Sequence, residues 1–263
     1  MKGENARRLL RAVVLAAFLA GGLVQPAGLK AAAEESALSG SLGLGTVAKP
    51  EFEGSDRYEV RAVPVFNFQY GPAFLSMTQG LGVYLPLAPG WTAAPALRYR
   101  GARKEKHSEL LNGLGNVPYW VEGGGSIRWQ PGPAGLNLKV FQGLGRVDGL
   151  TAELEASYGK ILTESLKGSL SLSTMFADRA YNRAYFGVTP AQSARSGYAV
   201  YEPGAGLKHA AVTGSLGYAL TESLELGLMA QYKRLTGPAA DSPLVERGSA
   251  DQFLSALSVG LKF

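Results

Sequence analysis

From Tyr58 to Tyr70 the chain alternates, with Tyr58, Val60, Ala62, Pro64, Phe66, Phe68 and Tyr70 on one parity and Glu59, Arg61, Val63, Val65, Asn67 and Gln69 on the other. A period of two is that of a strand, whose successive side chains point to opposite faces. From Leu150 to Tyr158 the pattern repeats, Leu150, Ala152, Leu154, Ala156 and Tyr158 interleaving with Thr151, Glu153, Glu155 and Ser157. Comparable runs cover 38–48, 75–85, 91–99, 119–129, 136–140, 166–177, 212–220, 224–232 and 253–263. Turn signals such as Tyr70-Gly71-Pro72, Ala88-Pro89-Gly90 and Pro131-Gly132-Pro133 punctuate them. Beyond the N-terminal segment no stretch keeps a helical period long enough to predict a helix. The pattern predicts an all-β body.

Alternation alone leaves the outer face undetermined, because a soluble barrel buries its apolar parity and a membrane barrel shows it to lipid. Three features favour the membrane. The polar parity is rich in Ser, Thr, Gly, Glu, Lys and Arg, which suits a wet lumen and would be costly in a dry core. Tyr58, Tyr70, Trp91, Tyr99, Tyr119, Trp120, Trp129, Tyr158 and Tyr232 fall near strand ends, where interfacial girdles sit. The chain ends in an alternating strand, Ser258-Val259-Gly260-Leu261-Lys262-Phe263, similar to the C-terminal signal of bacterial outer-membrane barrels. Lipid offers no hydrogen bonds to an open sheet edge, so spanning strands must close. The expectation is a transmembrane antiparallel β-barrel of the bacterial outer membrane. Eleven runs and the even strand numbers of such barrels give about 12 strands, with ten the alternative count.

Leu162-Thr163-Glu164-Ser165-Leu166 recurs as Leu220-Thr221-Glu222-Ser223-Leu224 and reads twice as a short periplasmic turn. That puts the long segments 101–117, 178–203 and 236–250 outside. The first hundred residues then hold one strand too many or too few, and the segment 198–208 is the candidate for the missing one.

The N-terminus changes how charge is read. Lys2, Arg7, Arg8 and Arg11 precede an apolar run, 12–24, too short for a spanning helix, and Ala31-Ala32-Ala33 fits a signal-peptidase site. The expectation is a cleaved signal peptide, 1–33, and a barrel domain, 34–263, exported through the Sec pathway. The net charge of +5 over 263 residues belongs mainly to that segment, which holds five of the 26 basic and one of the 21 acidic residues. The remainder carries about +1 and offers no case for nucleic acid. The 35 glycines and the 18% charged fraction stay with the barrel, and the lack of cysteine excludes thiolate chemistry and Cys-based zinc sites.

Chemical motifs are few. Gly43-Leu44-Gly45-Thr46-Val47-Ala48 matches a dinucleotide fingerprint, but Lys49-Pro50 follows at once and no helix opens there. Gly-Leu-Gly begins at Gly43, Gly80, Gly113 and Gly143, a repetition suited to close backbone approach. His107 and His209 lack metal-ligand spacing and there is no G-x-S-x-G elbow. Asp178, Asp241, Glu246 and Asp251 could serve a rim-located hydrolase, yet any hydrophilic loop holds such residues. No catalytic residue, cofactor or metal is expected. The mixed-sign run Arg103-Lys104-Glu105-Lys106 reads as a solvated loop.

Several segments resemble the MipA/OmpV family of outer-membrane proteins. They are Pro50-Glu51-Phe52-Glu53-Gly54-Ser55-Asp56, Gly113-Leu114-Gly115-Asn116-Val117, Ala184-Tyr185-Phe186-Gly187-Val188-Thr189, Gly204-Ala205-Gly206-Leu207-Lys208, and 234–243 from Arg234 to Pro243. His209 stands where an acidic residue is expected after Gly-Leu-Lys. The resemblance implies a non-enzymatic outer-membrane barrel. The family's named member is a scaffold connecting a murein lytic transglycosylase with a murein synthase, so the implied partners are those enzymes together with outer-membrane lipid and lipopolysaccharide. Family members linked to adhesion or solute uptake make an adhesin or a pore, with Arg61, Arg128, Lys139 and Lys167 in its lumen, the alternatives. The loop motifs mark Glu51, Phe52, Glu53, Asp56, Tyr185, Phe186 and Asp241 as candidate interaction residues.

Overall fold

The computed structural model describes residues 37–145 and 147–263. The expected signal peptide, 1–33, lies outside the described residues. The strands are β1 (Leu38–Pro50), β2 (Tyr58–Tyr70), β3 (Ala73–Ser76), β4 (Gly80–Val83), β5 (Leu85–Ala88), β6 (Trp91–Arg100), β7 (Trp120–Trp129), β8 (Ala134–Leu144), β9 (Leu150–Ile161), β10 (Leu166–Ala177), β11 (Gly206–Ala219), β12 (Leu224–Leu235) and β13 (Asp251–Lys262). All pairings between them are antiparallel, β1 pairs with both β2 and β13, and β4 pairs with both β3 and β6, which closes the ring. β4 and β5 are two halves of one stave, both facing β6, so the barrel has 12 strands. The stave breaks at Tyr84, whose ring turns inward onto Phe74 at 4.4 Å and whose N–H donates to the Pro72 carbonyl at 2.7 Å.

The strand that alternation left unaccounted for is therefore in the 75–85 run, which is a hairpin: Ser76 Oγ accepts from the Gln79 N–H and the chain reverses at Gly80. The segment 198–208 is not it; only its last three residues enter a strand, β11. With this count all the long segments fall at one end, and the chain reversals at 71–72, 89–90, 130–133, 162–165 and 220–223 at the other. The repeated Leu-Thr-Glu-Ser-Leu segments fold alike. In each, the first Leu N–H donates to the last Leu carbonyl at 2.8 Å and the Thr hydroxyl accepts from the last Leu N–H, at 3.1 Å for Thr163 and 3.0 Å for Thr221.

The faces divide as the alternation predicts. Val60, Leu154, Leu172, Leu228 and Leu257 point outward and are exposed, while Glu59, Arg61, Glu153 and Lys233 point into the lumen. Lipid covers the first set, and a charge among them at the midplane would cost roughly 2–4 kcal/mol. Paired aromatics gird both ends: Trp91 on Trp129 at 5.9 Å by the short turns, Tyr99 on Tyr119 at 5.4 Å and Tyr232 on Phe253 at 5.1 Å by the loops. Trp120 is a correction. One residue beyond Tyr119, it has the opposite parity and is buried inside, donating its indole N–H to Glu122.

The Gly-Leu-Gly repeats mark close approach. A Cβ on Gly43 would lie 2.1 Å from the Val259 carbonyl oxygen, and one on Gly80, whose φ is +83°, 2.1 Å from that of Leu97. Neither site admits a side chain without moving a neighbouring strand.

Among the described residues four short α-helices, which the periodicity did not predict, cap the loop end: α1 (Arg179–Phe186), α2 (Pro190–Ser196), α3 (Gly237–Ala240) and α4 (Pro243–Arg247). Asp178 caps α1 by accepting from the Tyr181 N–H at 2.8 Å. Thr189 and Gln192 form a reciprocal capping box on α2, with Pro190 at its first turn.

Candidate functional site

The loop end of the lumen gathers most of the buried chemistry. The β1–β2 loop, 51–57, folds inward because β13 holds it: Gln252 Oε1 accepts from the Gly54 N–H at 3.1 Å, and Gln252 Nε2 donates to the Ser55 carbonyl at 3.2 Å. Gly54 has φ +106° and packs on Val245, so the turn there requires glycine. This fold carries Glu53 over the lumen, where it accepts from Lys208 Nζ at 2.9 and 3.0 Å and from Lys233 Nζ at 2.8 Å. Burial raises the Glu53 pKa, but the two ammonium groups outweigh it and hold the carboxyl well below its ordinary range.

Lys208 reaches Glu53 through a defect in the sheet. Met175 pairs with His209 but Phe176 with Leu207, so Lys208 is the extra residue of a bulge and both it and His209 are buried. Strict alternation would have sent one of them to lipid.

α1 enters the barrel mouth beside this triad. Its Tyr181 is fully buried, and the phenol oxygen accepts from Lys208 Nζ and from Arg100 Nη1, each at 3.3 Å. Tyr185 stacks on Tyr181 at 4.8 Å and meets Trp120 at 5.5 Å. Below them Glu122 accepts from Arg98 and Arg100, each at 2.5 Å, and Arg98 lies 3.8 Å over the Phe141 ring. Lys139 bridges Glu153 and Glu155 at 3.0 Å each, while Glu59 takes Lys49 at 3.0 Å and Arg61 at 2.6 Å. Buried charges need such partners.

Between the β1–β2 loop and α1 lies a cavity of about 140 Å³. Its walls carry Lys49, Arg61, Arg103 and Lys233 against Glu51, Glu53 and Glu59, with Phe52, Tyr181 and Tyr185 as aromatic surface. Arg103 donates through Nη1 to the Tyr185 carbonyl, but its Nε is buried without an acceptor, and burial pushes its pKa down to about 10. Glu51 Oε2 is likewise buried without a partner. His107, on the same wall, has its pKa pushed down by burial and by Arg61.

All seven expected interaction residues lie at this loop end. Phe52 and Phe186 are buried in the cap, Phe52 among Leu111, Leu114 and Leu244, and Phe186 with Val117, Leu235 and Ala239. Glu53 holds the two lysines, Tyr185 stacks inside the mouth, and Glu51 lines the cavity; Asp56 and Asp241 are exposed. Of the loop carboxylates, Asp178 caps α1 and Asp251 accepts from Tyr232 and Arg234. The sequence reading missed Arg98, Arg100, Glu122 and Lys208. The first three are legible as charges on an otherwise apolar-flanked inward parity, but nothing local announces the bulge at Lys208.

The family model described as MltA-interacting protein MipA matches residues 42–263. No curated protein matches the chain. Among solved structures, the NanC porin is similar with TM-score 0.46 and 10% identity over 86% of this chain and 100% of that one. An outer-membrane channel from Pseudomonas putida F1 has TM-score 0.45 and 12% identity over 92% and 100%. The KdgM porin has TM-score 0.42 and 8% identity over 85% and 99%.

Proposed function

The chain belongs to the MipA family, and from that membership we propose a non-enzymatic scaffold in the outer membrane that links a murein lytic transglycosylase with a murein synthase. One structural observation supports a scaffold over a channel: α1, the β1–β2 loop with its Glu53–lysine pairs, and the Arg98–Glu122–Arg100 cluster occupy the loop end of the lumen and leave a cavity of only about 140 Å³. A barrel so filled is a rigid mount. Short turns lie on the periplasmic side in such barrels, so the cell-wall enzymes meet the end that presents Glu164 and Glu222, both exposed on identical turns. At the opposite end Asp56 and Asp241 remain free to meet an external partner, while Phe52, Glu53 and Phe186 hold the cap.

Affinity capture from detergent extracts tests this. Murein hydrolase and synthase are expected with the wild type and to be lost in Glu164→Lys/Glu222→Lys, while Asp56→Asn/Asp241→Asn retains them. Absence of any murein enzyme from the wild-type capture would overturn the scaffold.

A second reading, a solute pore, draws on the inward Ser126, Ser171, Ser173 and Ser258 of the lower lumen, which are small, polar and half-exposed. Planar-bilayer recording separates the two, since a steady conductance by the wild type favours the pore.

A further inference from the structure

We propose that the loop-end cavity is a binding site for a small zwitterion, a molecule of amino-acid size carrying one carboxylate and one ammonium group. This stands apart from the scaffold reading. Most charges around the cavity are matched inside the protein: Glu59 by Lys49 and Arg61, and Glu53 by Lys233 and Lys208. Two are not. Arg103 is 9% exposed and forms no ion pair among the described residues, and its buried Nε has no acceptor. Glu51 forms none either, and its buried Oε2 has no donor. They line the same cavity with opposite sign yet do not pair with each other.

An unpaired buried guanidinium is costly, and a planar carboxylate matches its donor fork. An unpaired carboxylate asks for a cation with several donors, which an ammonium provides. A ligand with both groups balances both unpaired charges at once, whereas a simple anion or simple amine balances only one. Phe52 and Tyr185 offer apolar surface to a short aliphatic stem.

Isothermal titration of the purified full-length barrel in detergent micelles tests this with L-leucine, 3-methylbutylamine, which lacks the carboxylate, and 4-methylpentanoate, which lacks the ammonium. Saturable leucine binding is expected, with each half-molecule weaker by about tenfold or more, as losing a charged hydrogen bond implies. That comparison needs no variant, so it decides the matter even where a substitution impairs folding. In barrels verified as folded by heat-dependent gel mobility, Arg103→Gln is expected to bind leucine no better than the amine, and Glu51→Gln no better than the acid. Absence of saturable leucine binding, equal binding of leucine and either half-molecule, or leucine affinity unchanged in both variants would overturn the proposal.

Discussion

Down the inward face of β10 from the loops, Ala177 and Met175 are buried against neighbours, whereas Ser173, Ser171 and Ser169 stay half-exposed. β13 is similar, with Gln252 buried at the loops and Leu254, Ala256, Ser258 and Gly260 below it half-exposed. The same ladders run through both halves, so backbone hydrogen bonding does not distinguish them. The upper lumen is a packed polar core in which each side chain constrains several others, whereas along β10 and β13 the lower lumen is lined by small half-exposed side chains, its packing confined to the Phe74, Tyr84 and Ala94 cluster and to buried Asn137, Thr213 and Ser215 on β8 and β11. Stability specific to side chains should therefore concentrate at the loop end.

Glu122 offers the sharpest way to break this comparison. It is fully buried and holds two guanidiniums. Glu122→Ala leaves Arg98 and Arg100 facing each other without it, and removing one partner of a buried ion cluster costs about 3–5 kcal/mol. Ser171→Ala in the lower lumen is expected within about 0.5 kcal/mol of the wild type. Urea unfolding of barrels folded in lipid vesicles measures both, and equal losses would dissolve the distinction.

Next comes Lys208→Met, which keeps the stem and removes the ammonium. Glu53 retains Lys233, so the loss is smaller, about 1–3 kcal/mol for charged hydrogen bonds. Its partner effect is on pH. The folded Glu53 carboxyl titrates below its unfolded value, so its stabilisation is full above the unfolded pKa of about 4.3 and is lost as pH falls through the folded one. The urea midpoint difference between wild type and Glu53→Gln is expected to be constant from pH 7 to pH 5 and to shrink below about pH 4. A difference independent of pH would show that Glu53 acts by packing alone.

Where strands run uninterrupted, as in β2 and β9, alternation identified the outward and inward faces residue by residue. It failed where period two is broken. At Ser76–Gly80 a three-residue reversal sits inside an apolar run and reads as one strand. At Lys208 an inserted residue turns two successive side chains inward. The loop helices were missed because four to eight residues are too few to establish a 3.6-residue period, although Thr189-Pro190-Ala191-Gln192 carries a helix-start signature. The ion clusters join residues far apart in the chain, Glu53 with Lys208 and Arg100 with Tyr181, and no local pattern reports such pairing.

The smallest expected effect sharpens the comparison from outside. Arg57 and Glu109 pair at 2.7 Å at the loop end, but their side chains are 51% and 75% exposed. Water and salt screen such a pair, and holding two long side chains together opposes the gain. Position at the loop end alone therefore should not confer stability; burial within the lumen should. Arg57→Ala is expected to leave the urea midpoint unchanged within error at 0.15 M salt, with any residual shift vanishing at higher salt as the charges are screened. A loss comparable to that of Glu122→Ala would mean that the cap is held at its rim, and that the packed lumen beneath it is a consequence of closure instead of its cause.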